Sequence, residues 1–287
     1  MTTSSNPTCA AFILSHGRPD NVITFDSLRR SGWTRPVYVI IDNEDPTADR
    51  YRERFGADNV IEFDKAAIAE TFDTADTQAD RRSIVYARNA SQQIAKDLGL
   101  DYHWQLDDDY TGFLYRYIDG PKLVGRTIRN LDQVLDAMIG LLESTGAATV
   151  AMSQGGDHIG GDVENVRRGL RRKAMNSFVL RTDRPVTFLG RINEDVNTYV
   201  LEGSRGHLFF TAMGLQLNQL QTQSNAGGMT DLYLDSGTYV KSFYTVMMAP
   251  SCITIRLMGR IDRRLHHRIH PHHSIPKIIS GRHRRTT

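Results

Sequence analysis

The sequence predicts an α/β fold with a Rossmann-like, mixed but mostly parallel central sheet flanked by helices. Over the first 110 residues, short apolar runs alternate with segments of helical periodicity, which is typical of such a sheet. The 287 residues are 40% hydrophobic and 24% charged, ordinary values for a globular protein with a sizeable core. No apolar run approaches the roughly 20 residues of a membrane helix, and no signal peptide is recognisable at the start. We therefore expect a cytoplasmic protein without a membrane partner.

The predicted elements follow in regular order. Strands are predicted at 9–15, 36–42, 59–63 and 102–106, and helices at 20–31, 48–55 and 84–98. The polar, acid-rich residues 64–82 are interpreted as a loop or flexible insert. A helix at 131–145 and strands at 147–153 and 177–182 follow, with a Gly- and Arg-rich loop at 154–173 between the strands. Both tryptophans and both cysteines lie in segments that we expect to be buried.

Three consecutive aspartates, Asp107, Asp108 and Asp109, follow the apolar run YHWQL. If the extended backbone continues, Asp107 and Asp109 share one face of the strand and Asp108 takes the other. Two carboxylates at a strand end can bind Mg²⁺ or Mn²⁺, whose charge offsets their repulsion. A solvated turn is the alternative for a bare aspartate run. The position favours the metal, because parallel sheets bind ligands at the carboxyl ends of their strands.

Charge is unevenly distributed along the chain. Residues 251–287 carry a net charge of +8 and six histidines, whereas the rest carries −6. We expect one domain over 1–256 and a basic, His/Arg-rich extension over 257–287, which suggests contact with a polyanion. A sticky, disordered end is the alternative. Nucleic-acid binding explains the arginine excess better, because each phosphate contact releases counterions.

Several motifs carry a resemblance to a known family. YARNAS at 86–91 and YHWQLDDD at 102–109 resemble the ARN-helix-strand-DxD segment of GT-A glycosyltransferases. FILSHGRP and VYVIIDNED look like the first two nucleotide-binding strands of that fold, and GRINEDVNTYV at 190–200 looks like its later ED motif. The match spans about residues 9–212. More narrowly, the chain is similar to the TET-associated glycosyltransferases of phages, which resemble enzymes acting on 5-hydroxymethylcytosine in DNA.

The resemblance implies a GT-A-like nucleotide-diphospho-sugar transferase fold and assigns roles to individual residues. The nucleotide sugar would be contacted by Ser15, His16, Gly17, Arg18, Asp42, Arg88, Asn89, Asp107 and Asp108. Asp107 and Asp109 would bind Mn²⁺ or Mg²⁺, with Asp108 as an alternative ligand and His207, His266 or His267 as candidates for a third. Asp195, or Glu194 beside it, would be the general base. Candidate DNA contacts are Arg167, Arg168, Arg171, Arg172, Lys173, Arg263 and Arg264.

The expected activity is metal-dependent transfer of a sugar, most simply glucose from UDP-glucose, to 5-hydroxymethylcytosine in DNA with inversion. One alternative is the same fold acting on a small molecule, a protein or a glycan. Another is a nuclease or nucleotidyltransferase whose aspartates hold two metals. A DNA-binding module without activity is the third. The sequence leaves the oligomeric state open. A phage protein would act in the host cytoplasm.

Overall fold

The computed structural model describes residues 7–76, 81–158, 176–220, 229–258 and 264–274. The strands are β1 (Cys9–Leu14), β2 (Val37–Asp42), β3 (Val60–Phe63), β4 (Tyr102–Asp107), β5 (Tyr110–Asp119), β6 (Lys122–Thr127), β7 (Thr149–Gln154), β8 (Ser177–Arg181), β9 (Phe209–Gln219), β10 (Ile253–Met258) and β11 (Arg264–Ile269). The helices are α1 (Ile23–Arg30), α2 (Ala48–Phe55), α3 (Lys65–Ala69), α4 (Val85–Asp97), α5 (Leu131–Thr145), α6 (Glu194–Ser204), α7 (Met229–Met248) and α8 (Pro271–Ser274). The predicted α/β class is confirmed.

The central sheet has the strand order β3-β2-β1-β4-β8-β7-β9-β5-β6. Strands β3, β2, β1 and β4 are mutually parallel, β8 runs antiparallel between β4 and β7, and β9 is parallel to β7. Strand β5 starts directly after the aspartates and runs antiparallel to β9. The carboxyl ends of β1, β2 and β4 therefore meet at one edge of the sheet. The loops that follow them, at 16–19, 42–46 and 107–109, lie along this edge as expected.

The two faces of the sheet bury different cores. On one face, Trp104 packs against Trp33 and Phe113, with ring centroids 5.6 and 5.7 Å away. On the other, Phe12 and Phe178 pack beneath α4. The side chains of β4 alternate between these cores, so Asp107 lies on the same face as His103 and Gln105, the face that α4 covers. Both tryptophans and both cysteines are buried, as expected.

Two segments differ from the expectation. Residues 64–82 contain α3, which is capped by the Asp64 carboxylate accepting from the Ala67 amide at 3.0 Å, so the loop interpretation was wrong there. A five-residue helix is too short to show helical periodicity. Strands β10 and β11 pair as an antiparallel ribbon, and the expected domain boundary at 257 falls inside β10. Among the described residues, no helix is both long and apolar enough to cross a membrane.

Helix α1, which supports the sheet edge, ends against the start of α5. The Leu131 amide donates to the Ser31 carbonyl at 3.0 Å. Gly32 follows with φ of +85°, and a Cβ at this position would lie 2.1 Å from the Arg129 carbonyl oxygen. The junction therefore needs glycine both for its backbone conformation and for space.

We expect Gly32→Ala to destabilise the protein more than Gly99→Ala. Gly99 also has a positive φ of +65°, but nothing lies within 4 Å of its Cβ position. Both variants carry left-handed backbone strain of about 1–2 kcal/mol, and the clash at Gly32 should add about 1–3 kcal/mol. Urea unfolding of both variants measures the difference. Equal losses of stability would show that the junction relaxes freely.

Candidate active site

The turn after β4 is fixed from below by Thr24 of α1. The Thr24 hydroxyl donates to the Asp107 carbonyl at 2.6 Å and accepts from the Tyr110 amide at 2.8 Å, and the Thr24 amide donates to the Asp108 carbonyl at 3.1 Å. Thr24 is fully buried. Sequence reasoning missed this residue. The available signal was a polar side chain on a face of α1 that turns to the core.

Arg88 of α4 is the cation at the centre of the site. Its Nη2 donates to the Asp107 carboxylate and its Nε to the Glu194 carboxylate, each at 2.9 Å. The guanidinium is 1% exposed. Burial opposes its charge, but Asp107 and Glu194 together raise its pKa above the ordinary value. Arg88 thereby joins the end of β4 to the first turn of α6.

One nitrogen of Arg88 is not engaged by Asp107 or Glu194. Its Nη1 is buried and has no hydrogen-bond partner among the described residues. Buried donors are nearly always satisfied in folded proteins. A partner for this donor would have to come from a ligand, from water or from a residue outside the described ranges.

Asp108 ties the first loop to the end of β4. Its Oδ2 accepts from the Ser15 hydroxyl at 2.5 Å and from Arg18 Nε at 2.8 Å, and the carboxylate is 1% exposed. The Tyr51 hydroxyl holds Ser15 from the other side at 2.8 Å. Strand β4 ends at Asp107, so the expected alternation of the three aspartates does not continue. Asp108 is committed to this tie, which argues against its role as a metal ligand.

Asp109 is the aspartate without a cation. It forms no ion pair with any residue that the structure describes. Burial raises the pKa of its carboxyl to about 7, and the charges of Asp107 and Asp108 add to the rise. Burial also raises the pKa of Asp107, although Arg88 opposes it. The pair offers hard oxygen donors and an excess of negative charge, which suits Mg²⁺ or Mn²⁺.

The protein supplies only part of a coordination shell at this point. Within the described ranges, no group of three or more His, Cys, Asp or Glu side chains is arranged to hold a metal. A cation at Asp107 and Asp109 would therefore take further ligands from a substrate or from water. This is the usual arrangement for Mg²⁺ with phosphate substrates.

A second carboxylate cluster lies at the end of β2. Asp42 is 2.8 Å from His16 Nδ1 and 3.3 Å from Lys65 Nζ. Burial would raise the pKa of Asp42, but these two partners hold it below its ordinary value. The Gly17 amide donates to Asp45 at 2.7 Å. The structure thus brings His16, Gly17 and Asp42 together, and adds Lys65, which the loop interpretation of 64–82 concealed.

Glu194 and Asp195 start α6. Asn193, at φ of +54°, precedes them, and its side-chain amide donates to the Lys241 carbonyl at 2.8 Å and the Thr245 hydroxyl at 2.9 Å on α7. Burial raises the pKa of Glu194 to about 7, although Arg88 opposes the rise. Asp195 is 9% exposed and has no ion pair within the described part of the chain. Asp195 is therefore the freer of the two candidate bases.

The side chain of Asn89 binds the backbone of the segment that precedes α6. Its side-chain Nδ2 donates to the Phe188 carbonyl at 3.0 Å and its Oδ1 accepts from the Phe188 amide at 2.8 Å. Both ends of the amide are thus engaged by one peptide segment. The expected contact of Asn89 with the sugar or diphosphate is not supported by this arrangement.

His207 lies at the opposite edge of the sheet. Strand β9 starts at Phe209, which pairs with Thr149 of β7. Because β7 pairs with β8 and β8 pairs with β4, Thr149 lies at the same height in the sheet as His103 of β4. His103 is four residues before Asp107, which is about 13 Å along the strand. Strand β9 is three strands from β4, which is about 14 Å across the sheet. His207 cannot share a metal with Asp107, and its assignment as a third ligand was wrong.

The remaining candidates are not placed at the aspartates. His266 and His267 lie in β11, where His266 Nδ1 is 2.7 Å from the His267 carbonyl oxygen. Five of the predicted DNA contacts, Arg167, Arg168, Arg171, Arg172 and Lys173, lie outside the described residues, as does Arg263. Arg264 is the first residue of β11.

Residues 9–228 match the sequence model of the TET-Associated Glycosyltransferase family. Because this match covers most of the chain, the protein belongs to the TET-associated glycosyltransferases. The comparison with curated protein sequences gave no match.

Solved structures with a similar overall path include glucosyl-3-phosphoglycerate synthase from Mycobacterium tuberculosis. Its complex with Mn²⁺ and UDP-glucose is 11% identical with a TM-score of 0.49, over 91% of this chain and 86% of that chain. Its complex with Mg²⁺ and UDP is 11% identical with a TM-score of 0.48, over 92% of this chain and 88% of that chain.

We expect Arg88→Met to lower the free energy of unfolding by about 3–5 kcal/mol, because it leaves the carboxylates of Asp107 and Glu194 without their shared buried cation. Arg181→Met is the matched control. Arg181 also joins two carboxylates, Glu143 and Asp183, but their side chains are 39% and 64% exposed, and pairs open to solvent contribute about 0–1 kcal/mol. Urea unfolding at neutral pH measures both. Similar losses in the two variants would contradict a central structural role for Arg88.

Proposed function

We propose that this glycosyltransferase moves glucose from UDP-glucose to the hydroxyl of 5-hydroxymethylcytosine in DNA, with a divalent cation and with inversion at the sugar carbon. The observation that carries the proposal is the Arg88 bridge, which couples the strand-end aspartates to the acidic start of α6. The proposed donor-binding edge and the proposed base would thereby belong to one site. Membership of the TET-associated family supports the DNA acceptor.

The donor nucleotide fits the first two loops. Asp42 can accept hydrogen bonds from the uracil ring or the ribose, and its depressed pKa keeps it ionised for that role. Arg18 and the unpaired Nη1 of Arg88 can donate to the diphosphate or to the sugar. These contacts would orient the anomeric carbon of the sugar toward α6.

Asp107 and Asp109 would hold Mn²⁺ or Mg²⁺. When bound, the cation would supply positive charge for the leaving diphosphate. Arg88 keeps Asp107 oriented, and Asp109 contributes the carboxylate that has no cation of its own in the described residues.

Asp195 is the proposed general base. It would accept the proton of the acceptor hydroxyl while that oxygen bonds to the anomeric carbon and the bond from this carbon to the diphosphate oxygen breaks. UDP then leaves with the electron pair of that bond. Glu194 is ion-paired with Arg88 and acts by positioning the first turn of α6.

The DNA acceptor also accords with the charge distribution of the chain. The 5-substituent of a pyrimidine projects into the major groove, so the enzyme could read it there or flip the base. The predicted contacts between Arg167 and Lys173 and at Arg263 and Arg264 stay predictions, as does a cytoplasmic location.

The test is transfer of radiolabelled glucose from UDP-glucose to duplex DNA containing 5-hydroxymethylcytosine, with unmodified DNA alongside, in Mn²⁺ and in EDTA. Label should enter only the modified DNA and only with metal. Asp195→Asn should lower kcat about 10²–10⁴-fold, whereas Glu202→Gln, in the last turn of the same helix, should leave kcat unchanged. The anomeric configuration of the product, read by NMR, tests inversion.

Two failures would point to different errors. Hydrolysis of UDP-glucose without label on DNA would show that the donor is right and the acceptor wrong. The absence of both transfer and hydrolysis would reject UDP-glucose as the donor.

Asp109→Asn should stabilise the protein at pH 8 in the absence of metal. The folded pKa of about 7 lies above the ordinary 3.8, so the stability linked to this carboxyl is present at low pH and is lost as the pH rises through about 7. The substitution removes that loss, and we expect a melting temperature higher by a few degrees at pH 8.

Mn²⁺ should raise the melting temperature of the unsubstituted protein and not that of Asp109→Asn. Asp119→Asn, at an exposed position at the end of β5, should behave like the unsubstituted protein in both comparisons. An equal response of Asp109→Asn to Mn²⁺ would remove Asp109 from the metal site.

A further inference from the structure

The β10–β11 ribbon has two chemically different faces. Ile253 and Ile269 are directly opposite each other and pack against Val196 and Val200 of α6. Side chains alternate along each strand, so Thr254, Arg256, His266 and Arg268 form the opposite, outer face. We call these four residues the outer ribbon face.

Within the described residues, the two arginines of the outer ribbon face have no acidic partner. Arg256 lies opposite His266, and Thr254 lies opposite Arg268. The two arginines are therefore diagonal neighbours, whose Cα atoms lie about 7–8 Å apart. Both are exposed, and neither forms an ion pair with any residue that the structure describes. Neither strand contains an acidic residue. Two like charges held together in this way repel each other unless an anion lies between them or across them.

The ribbon is attached to the helix that carries the proposed base. Its inner face packs on α6 through Val196 and Val200, which follow Asp195 within two turns. The Ser242 hydroxyl of α7 donates to the Leu265 carbonyl at 2.9 Å, and α7 also holds Asn193 at the start of α6. An anion bound on the outer ribbon face would therefore be held at a fixed position relative to α6.

The chemistry of the face favours a polynucleotide backbone. Guanidinium groups bind phosphate oxygens through paired hydrogen bonds. A membrane-surface site would need large apolar side chains among the cations, and Thr254, Arg256, His266 and Arg268 include none. A two-stranded ribbon also has the width that the major groove admits.

We propose that Arg256 and Arg268 on the outer ribbon face bind phosphates of the DNA acceptor and so position it at α6. This proposal rests on the proposed function, because it assumes that the acceptor is DNA. The contacts are to the backbone, so they hold modified and unmodified DNA equally and leave recognition of the base to the site.

The test compares Arg256→Gln/Arg268→Gln with a control, Arg50→Gln/Arg52→Gln, which removes the same net charge from α2. Binding of fluorescent duplexes with and without 5-hydroxymethylcytosine is measured at several salt concentrations. The ribbon variant should bind both duplexes about tenfold more weakly. Each of the two lost contacts should cost about 0.7 kcal/mol, and about 1.4 kcal/mol in total is a tenfold change in affinity. The slope of log affinity against log salt should fall by about 1.8.

Kinetics separate positioning from chemistry. In the ribbon variant, KM for DNA should rise by a similar factor, while kcat and the hydrolysis of UDP-glucose stay unchanged. Arg256→Lys/Arg268→Lys keeps the charge and should recover most of the affinity. Unchanged melting temperatures would show that the substitutions act on binding and not on folding.

Several results would overturn the proposal. Affinity for DNA and a salt slope equal to those of the α2 control would show that the outer ribbon face does not contact the backbone, while transfer by the unsubstituted enzyme would keep the proposed function. Loss of binding to anionic phospholipid vesicles, with DNA binding intact, would assign the face to a membrane. If the unsubstituted protein neither binds nor modifies DNA, the proposed acceptor fails and this surface fails with it.

Discussion

The ion pairs of Arg88 are the constraint on which the rest of the site depends. A guanidinium that is 1% exposed must have anionic partners, because an unpaired buried charge costs several kcal/mol. Its partners are Asp107, at the end of a central strand, and Glu194, in the first turn of a helix about a hundred residues later. Satisfying this one cation therefore fixes the distance between the sheet edge and α6. The same contacts leave Asp109 and Asp195 without cations in the described residues, and these are the two carboxylates to which we assign metal binding and proton transfer.

The sheet edge could be predicted from the sequence because parallel strands share a direction. Once β1, β2 and β4 are recognised as apolar runs that alternate with helices, their following loops must meet, whatever the details of packing. This rule places His16, Asp42 and Asp107 together without any knowledge of side-chain contacts. The motif resemblance added Arg88 and Glu194, whose contact spans too much sequence for a local pattern to reveal.

The rest depends on geometry that local patterns do not contain. Alternation along β4 fails at Asp108 because the strand ends one residue earlier, and the turn directs this carboxylate to Ser15 and Arg18. Excluding His207 requires the order and direction of β8, β7 and β9, which the sequence does not give. Lys65 lay in a helix too short to show periodicity. The β10–β11 ribbon was not predicted because the basic segment was interpreted as a separate extension, although apolar residues such as Ile253, Ile255 and Leu257 recur at alternate positions in it.

The most direct test of the central claim is anomalous diffraction from crystals containing Mn²⁺ and UDP. The account predicts one strong manganese peak about 2.0–2.3 Å from a carboxylate oxygen of Asp109, close to Asp107, with diphosphate oxygens completing the shell. The Arg88 contacts to Asp107 and Glu194 should persist in the same crystals. A manganese peak away from Asp107 and Asp109, or UDP bound without metal and away from the loops after β1 and β2, would contradict the assignment of this sheet edge as the donor site.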